Sequence, residues 1–270
     1  MIKRSLILSS LVILCISCDE NLRNSGNSTE TEAVTDTIAA DSTEAEITDP
    51  EATEFWDPEP AVVSFDKNNI PSDAIVLFAG DNLDAWKSVT DTTQAAGWTV
   101  NNDKTFSVKP KGGDIETKEK FGDIQLHIEW RAPQEVVGES QGRGNSGIFL
   151  QKKYEVQVLD SYENRTYSNG QASSLYKQHP PLVNATKPTS EWQTYDIIFH
   201  QPEFDKDGNK TKAGRLTVMH NGVLTQDNVE IMGTTEYIGH PKTIPHGPDS
   251  IELQDHGNPV SYRNIWVRKL

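Results

Sequence analysis

From about residue 70 onward, apolar and polar positions alternate with a period of two. The stretch "DIQLHIEWRAP" shows it most clearly: Leu126, Ile128 and Trp130 share one side, and Gln125, His127, Glu129 and Arg131 share the other. That pattern predicts a strand with one buried face. "SGIFLQKKYEVQVLD", "EWQTYDIIFHQ" and "GRLTVMHNGVLTQD" continue it. In the last, Asn221-Gly222 between apolar runs predicts a two-residue hairpin turn. "AIVLFAG" has the apolar continuity of a buried strand, and "DNLDAWKSV" reads as a loop that packs Trp86 onto a sheet. "GWTVNNDKTFSVKP" predicts two short strands around an Asn-Asn-Asp turn. No stretch holds a helical period for three turns, and no internal repeat is present. Many short strands with regular turn signals predict one all-β domain over residues 70–270, a jelly-roll sandwich of two antiparallel sheets, with a closed barrel as the alternative.

The first seventy residues follow other rules. Lys3 and Arg4 precede an apolar run over residues 6–16 that is too short to span a bilayer. Cys18 follows the small Ser17 and resembles the acceptor of a bacterial lipobox, with Cys15 where Leu is usual. Residues 1–18 are therefore expected to be a lipoprotein signal peptide with Cys18 as the lipidated residue; an ordinary cleaved signal peptide is the alternative. The protein is expected at the bacterial cell envelope, lipid-anchored, periplasmic or surface-exposed. Asp19-Glu20 after the cysteine resembles an acidic export signal of surface lipoproteins.

Residues 19–69 are expected to be a disordered acidic tether, with too little apolar surface to offset chain entropy. Residues 19–60 hold 13 Asp or Glu against one basic residue, Arg23. Most of the chain's net charge of −15 lies there, and residues 61–270 carry 27 acidic and 22 basic residues. That near balance argues against a nucleic-acid partner, which requires a basic face. Both cysteines, Cys15 and Cys18, lie in the leader. The mature body therefore has no disulfide, cysteine nucleophile or cysteine-ligated zinc.

Candidate chemistry collects in two places. On "YEVQVLD", Tyr154, Val156 and Val158 point one way while Glu155 and Gln157 point the other, into a groove or merely into water. Gly142, Gly144 and Gly147 flank Arg143 and Asn145, so that loop can turn tightly against a ligand. Near the C-terminus, Ile251 and Leu253 lead into Gln254, Asp255 and His256, which read as part of a site or as a polar turn. The spacing Glu155, Gln157, Asp160 invites comparison with the E-x-D-x-x-E strand of jelly-roll β-glucanases, whose retaining chemistry uses two carboxylates on one strand. Gln157 stands where the middle carboxylate would be, which argues against an ordinary retaining glucanase.

"GRGNSGIFLQKKYEVQVLD", "EWQTYDIIF", "NGVLTQDNVEI" and "IELQDHGNPVSYRNIWVRKL", taken in order, resemble the 3-keto-disaccharide hydrolase family, also described as 3-keto-glycoside 1,2-lyase and 3-keto-2-hydroxy-glucal hydratase. The resemblance covers about residues 70–270 and implies a concanavalin-like jelly roll. It places Glu155, Asn145 and the Gln254-Asp255-His256 trio at motif positions. The chain departs from the family in a longer loop, "APQEVVGESQGRGNSG", and a polar insertion, "QPEFDKDGNKTKAG". The implied substrate is a small oxidised glycoside carrying a ketone at C3. The implied reaction is removal of the C2 proton, loss of the C1 substituent, and hydration to give net hydrolysis. Glu155 or His256 is then the base, with Asp255 orienting the imidazole. Arg131, Arg143 or Gln254 would supply hydrogen-bond donors, Gln157 and Asn145 would bind substrate, and Trp192 or Tyr176 would stack on a sugar. No cofactor is required by the sequence; a divalent metal on His256 and Glu155 is compatible with it. Two other classes remain open: a non-catalytic carbohydrate-binding surface lipoprotein, and an interaction or envelope-structural protein whose groove is filled by side chains.

Overall fold

The computed structural model describes residues 47–270. The expected signal peptide, Cys18 and most of the expected tether lie outside the described residues. Residues 47–59 belong to a unit separate from residues 60–270. They are exposed and contain one 3-10 turn, Pro50–Thr53, at whose start the Asp49 carboxylate accepts from the Glu51 N–H (3.0 Å).

Residues 60–270 carry fifteen strands: β1 (Ile75–Phe78), β2 (Trp86–Ser88), β3 (Thr99–Val100), β4 (Phe106–Ser107), β5 (Ile115–Thr117), β6 (Ile124–Arg131), β7 (Ser146–Leu150), β8 (Tyr154–Val158), β9 (Gln193–His200), β10 (Glu203–Phe204), β11 (Lys210–Lys212), β12 (Arg215–His220), β13 (Val223–Glu230), β14 (Glu252–Leu253) and β15 (Ser261–Lys269). The larger sheet runs β13-β12-β9-β6-β15-β4-β3, with β1 also on β15; the smaller runs β2-β5-β14-β7-β8. Every pairing in both is antiparallel. Neither sheet closes on itself, so the molecule is the expected sandwich and not the barrel. The polar insertion after β9 forms a separate hairpin, β10–β11.

The period of two sets the core. Leu126, Ile128 and Trp130 of β6 join Tyr195, Ile197 and Phe199 of β9 on the inner side of the larger sheet, all fully buried. Ile148 and Leu150 of β7 and Tyr154, Val156 and Val158 of β8 pack on them from the smaller sheet. Each such large side chain contributes about 1.5–3 kcal/mol of burial. Asn221 (φ 53°) and Gly222 (φ 77°) make the tight turn between β12 and β13, where both central residues need a left-handed backbone. Trp86 sits in a strand, not the predicted loop: β2 pairs with β5, and the buried indole N–H donates to the Leu77 carbonyl (2.9 Å). β1 is less buried than its apolar run suggests. It pairs only with β15, and Val76 is exposed on its outer side.

The outer side of the smaller sheet prepares the site. Lys87, Glu116, Glu252, Phe149 and Glu155 are successive cross-strand partners, so their side chains form one row across β2, β5, β14, β7 and β8.

Candidate active site

Glu155 and Gln157 lie on the outer side of β8, as alternation requires, yet neither faces water. Glu155 is 4% exposed and Gln157 is 1% exposed. Their cover comes from loops remote in sequence. The Gln157 N–H donates to the Ser174 carbonyl (3.0 Å), the Ser173 N–H to the Gln157 carbonyl (2.9 Å), and the Tyr176 N–H to the Glu155 carbonyl (2.9 Å). The Glu155 N–H donates to Thr235 Oγ1 (3.0 Å). These bonds satisfy the free edge of β8 and leave a cleft of about 480 Å³, lined by Gln141, Gly142, Asn145, Phe149, Glu155, Gln157, Tyr167, Tyr176, Thr235, Tyr237, Gln254 and His256. That volume is in the range of small-molecule sites.

Glu155 is the one carboxyl among those lining residues. Burial without a cationic partner pushes its pKa up to about 8, so it is a neutral acid at pH 7. Gly147 makes room for it: a Cβ there would stand 2.6 Å from Glu155 Oε1 and 2.9 Å from the Phe149 ring. Gly144 serves the turn, with φ at 55° and its backbone against Asp160 and Ala132. At the mouth, the Tyr167 and Tyr176 hydroxyls share a 2.5 Å hydrogen bond, and the Lys177 ammonium lies 4.4 Å from the Tyr167 ring centroid and 5.5 Å from that of Tyr237. Burial raises the pKa of both Tyr167 and Tyr176, keeping them as phenols.

The C-terminal trio divides its work. Gln254 continues the β14–β7 ladder, donating from its N–H to the Gly147 carbonyl (3.0 Å) and accepting at its carbonyl from Ser146 Oγ (2.6 Å), while its side chain lines the cleft. Asp255 builds a turn. Its N–H donates to Asp114 Oδ1 (2.7 Å), and its carboxylate accepts from the Gly113 (3.1 Å) and Gly257 (2.9 Å) N–H groups. His256 is exposed at the rim and has no hydrogen-bond partner among the described residues. Of the described residues, no group of three or more His, Cys, Asp and Glu side chains is placed to hold a metal ion.

Residues 73–268 match the model of the 3-keto-alpha-glucoside-1,2-lyase-like domain. The chain belongs to this family. A 3-keto-disaccharide hydrolase of Bacteroides thetaiotaomicron is 25% identical over 249 residues, covering 76% of this chain and 82% of the relative. A crystal structure of a candidate glycosyl hydrolase of Parabacteroides distasonis is 51% identical, with a TM-score of 0.78, covering 82% of this chain and 97% of that one. A second such structure from the same organism, 19% identical over 73% of this chain and 94% of its own, shares the fold at a TM-score of 0.52.

Within the family domain, the cleft brings together six of the residues singled out in the sequence: Glu155, Gln157, Asn145, Tyr176, Gln254 and His256. Four others lie elsewhere. Arg143 donates from Nε to the buried Asp160 (2.8 Å), and from Nη2 to the Tyr162 carbonyl (3.0 Å) and Thr189 Oγ1 (2.8 Å), so its guanidinium is turned to Asp160 and does not line the cleft. Arg131 and Trp192 lie on the outer face of the larger sheet, where the Arg131 and Arg263 guanidinium groups stand 4.6 and 4.1 Å from the Trp192 ring centroid. Asp255 does not orient His256, because its carboxylate is taken by backbone N–H groups. Gln141, Phe149, Tyr167, Thr235 and Tyr237 were not singled out. Apart from Phe149 they sit on irregular loops, where no periodicity points to a face.

Proposed function

We propose that this protein cleaves 3-keto-glycosides by C2 deprotonation and elimination, with hydration completing a net hydrolysis. The observation that carries the reading is the single carboxyl, buried and neutral, among the residues lining the cleft. Hydrolysis through an oxocarbenium-like transition state needs two carboxyl groups flanking the glycosidic bond. Glu252, whose pKa burial and the neighbouring Asp114 push up to about 7, is two strands from Glu155 with Phe149 between them, and it does not line the cleft. A ketone at C3 removes the need for a second carboxylate by acidifying the C2–H bond.

His256, at the rim with an unengaged imidazole, takes the C2 proton. The C2–H electrons form the C1=C2 bond through the enolate, the C1–O bond breaks, and Glu155 gives its proton to the departing oxygen. In the second half, the Glu155 carboxylate takes a proton from water as its oxygen adds to C1, and His256 returns a proton to C2. Asn145 and Gln254 supply amide contacts to the sugar, Gln157 is held against Glu155 beneath them, and Tyr176 and Tyr237 supply aromatic surface. Incubation with a 3-keto-glucoside and with its unoxidised parent tests this reading: the first should release its aglycone and the second should not. Equal release from the parent would instead indicate ordinary glycoside hydrolysis. A purely carbohydrate-binding protein would release neither.

A further inference from the structure

The orientation of the Gln157 amide is decided by its neighbours. Gln141 Nε2 donates to the Gly170 carbonyl (2.8 Å) and to Thr166 Oγ1 (3.0 Å). A backbone carbonyl only accepts, so Gln141 turns its NH2 that way and presents Oε1 to Gln157 Nε2 at 2.9 Å. Asn145 imposes the same direction independently. Its Nδ2 donates to the Gln141 main-chain carbonyl (2.6 Å), which leaves its Oδ1 3.4 Å from the same Gln157 nitrogen. Gln157 Oε1 is thereby directed at Glu155 Oε1, 3.0 Å away. Two buried oxygens at that distance repel unless a proton lies between them, and only the carboxyl can carry one.

We propose that Gly170, Gln141 and Gln157 form a hydrogen-bond relay of fixed polarity, in which the Gln157 carbonyl accepts a hydrogen bond from the protonated Glu155 carboxyl and holds Glu155 as an acid. Gln157 is then a positioning residue that sets the protonation state of Glu155, and it does so before any substrate arrives. The inference rests on the reading of Glu155 as the acid of the proposed reaction. The reverse orientation would let Gln157 donate to Glu155 Oε1 and to the Ser146 carbonyl (3.1 Å), but it would set the Gln157 oxygen 2.9 Å from Gln141 Oε1. Turning Gln141 as well moves the conflict to the Gly170 carbonyl at 2.8 Å. In the relay, the one unfavourable contact is between Gln157 Oε1 and the Ser146 carbonyl, at 3.1 Å the longest of the three.

The surroundings add nothing that favours the carboxylate. Tyr167 and Tyr176 face Glu155 from the segment covering β8, Tyr237 from the loop after β13, and His256 from the rim. Lys177 is placed over the tyrosine rings, and Arg143 is turned to Asp160. No described residue forms an ion pair with Glu155. Burial and the relay act in the same direction, since a hydrogen bond made by the neutral form disfavours the charged one.

The test is an infrared pH titration of the Glu155 carboxyl in the full chain, its C=O band identified by its loss in Glu155→Gln. In the wild type the band should be that of a protonated carboxyl donating a hydrogen bond, below the frequency of a free acid. In Gln157→Met and Gln141→Met, each checked for folding by thermal melt, the midpoint should fall by about one pH unit or more, a tenfold change in the proton equilibrium. A carboxylate band in the wild type at neutral pH overturns the proposal without recourse to any relay variant. So does an unchanged or higher midpoint in a folded variant. The readout does not depend on turnover. A lowered midpoint in a protein that leaves 3-keto-glycosides intact would sink the proposed reaction and spare the relay; turnover with unmoved midpoints would do the opposite.

Discussion

Glu155 is a carboxyl placed where an ionised one is poorly tolerated, and its proposed role as an acid and its effect on stability are opposite sides of that fact. Its pKa is raised from 4.5 to about 8 on folding. Its contribution to stability is therefore fully present below about pH 4.5 and is lost as pH rises through about 8. Glu155→Gln should lower turnover by roughly a hundredfold or more, the scale of general acid catalysis. The same variant should gain stability relative to the wild type as pH rises from about 5 to about 9, read by denaturant titration. A variant that loses its activity only by unfolding would contradict the assignment. Gly147→Ala tests the space rather than the charge: the new methyl must displace the carboxyl or the Phe149 ring, at about 1–3 kcal/mol, and turnover should fall with Glu155 itself intact. The outward direction of Glu155 and Gln157 was legible in the sequence because alternation fixes it. Their burial was not, because the loops that cover them arrive from residues 139–145, 173–176 and 235–237. Arg131 and Trp192 were misplaced for a related reason: alternation says which face of a strand a side chain takes, not which of two sheets the strand joins.

At the scale of the element, the outer face of the larger sheet carries its own charge ladder. His127 of β6 donates from Nδ1 to Asp196 Oδ1 (2.7 Å), its Nε2 lies 3.7 Å from Glu129 Oε1, and its ring stacks on Trp266 with centroids 5.0 Å apart. Although burial opposes it, the Asp196 and Glu129 carboxylates raise the His127 pKa to about 9 and keep the ring charged at neutral pH. A raised histidine pKa contributes stability fully below about 6.5, lost as pH rises through about 9. His127→Gln should therefore be less stable than wild type by roughly 1–2 kcal/mol at about pH 6, after screening of the half-exposed Asp196, with the gap closing by about pH 10. A gap independent of pH would show that His127 acts only through packing on Trp266. A β-bulge at Asn264 (φ 47°) lets β15 hold this arrangement, placing two residues opposite one of β6. The long strands β6, β9, β12 and β15 were readable because several residues repeat the period. β2, β5 and β14 hold two or three residues each and complete no pattern, which is why Trp86 was expected on a loop.

The whole molecule combines an acidic N-terminal segment with a compact sandwich whose candidate active-site cleft is assembled from distant parts of the chain. Residues 60–270 form a single compact unit, while residues 47–59 are exposed. Limited proteolysis should leave a stable fragment beginning between about residues 55 and 72; cleavage at similar rates throughout the sandwich would contradict a single folding unit. The sequence pointed to the architecture and to the two chain segments that meet at the cleft. The meeting itself depends on β14 pairing with β7, across more than a hundred residues, and no local pattern encodes that contact. The proposed reaction breaks the glycosidic bond by way of the C2–H bond. The most direct measurement follows a 3-keto-glycoside deuterated at C2, by mass spectrometry of the released sugar. Cleavage through the C2–H bond predicts slower turnover and loss of the deuterium to solvent. Full retention of the label at C2 with an unchanged rate would contradict it.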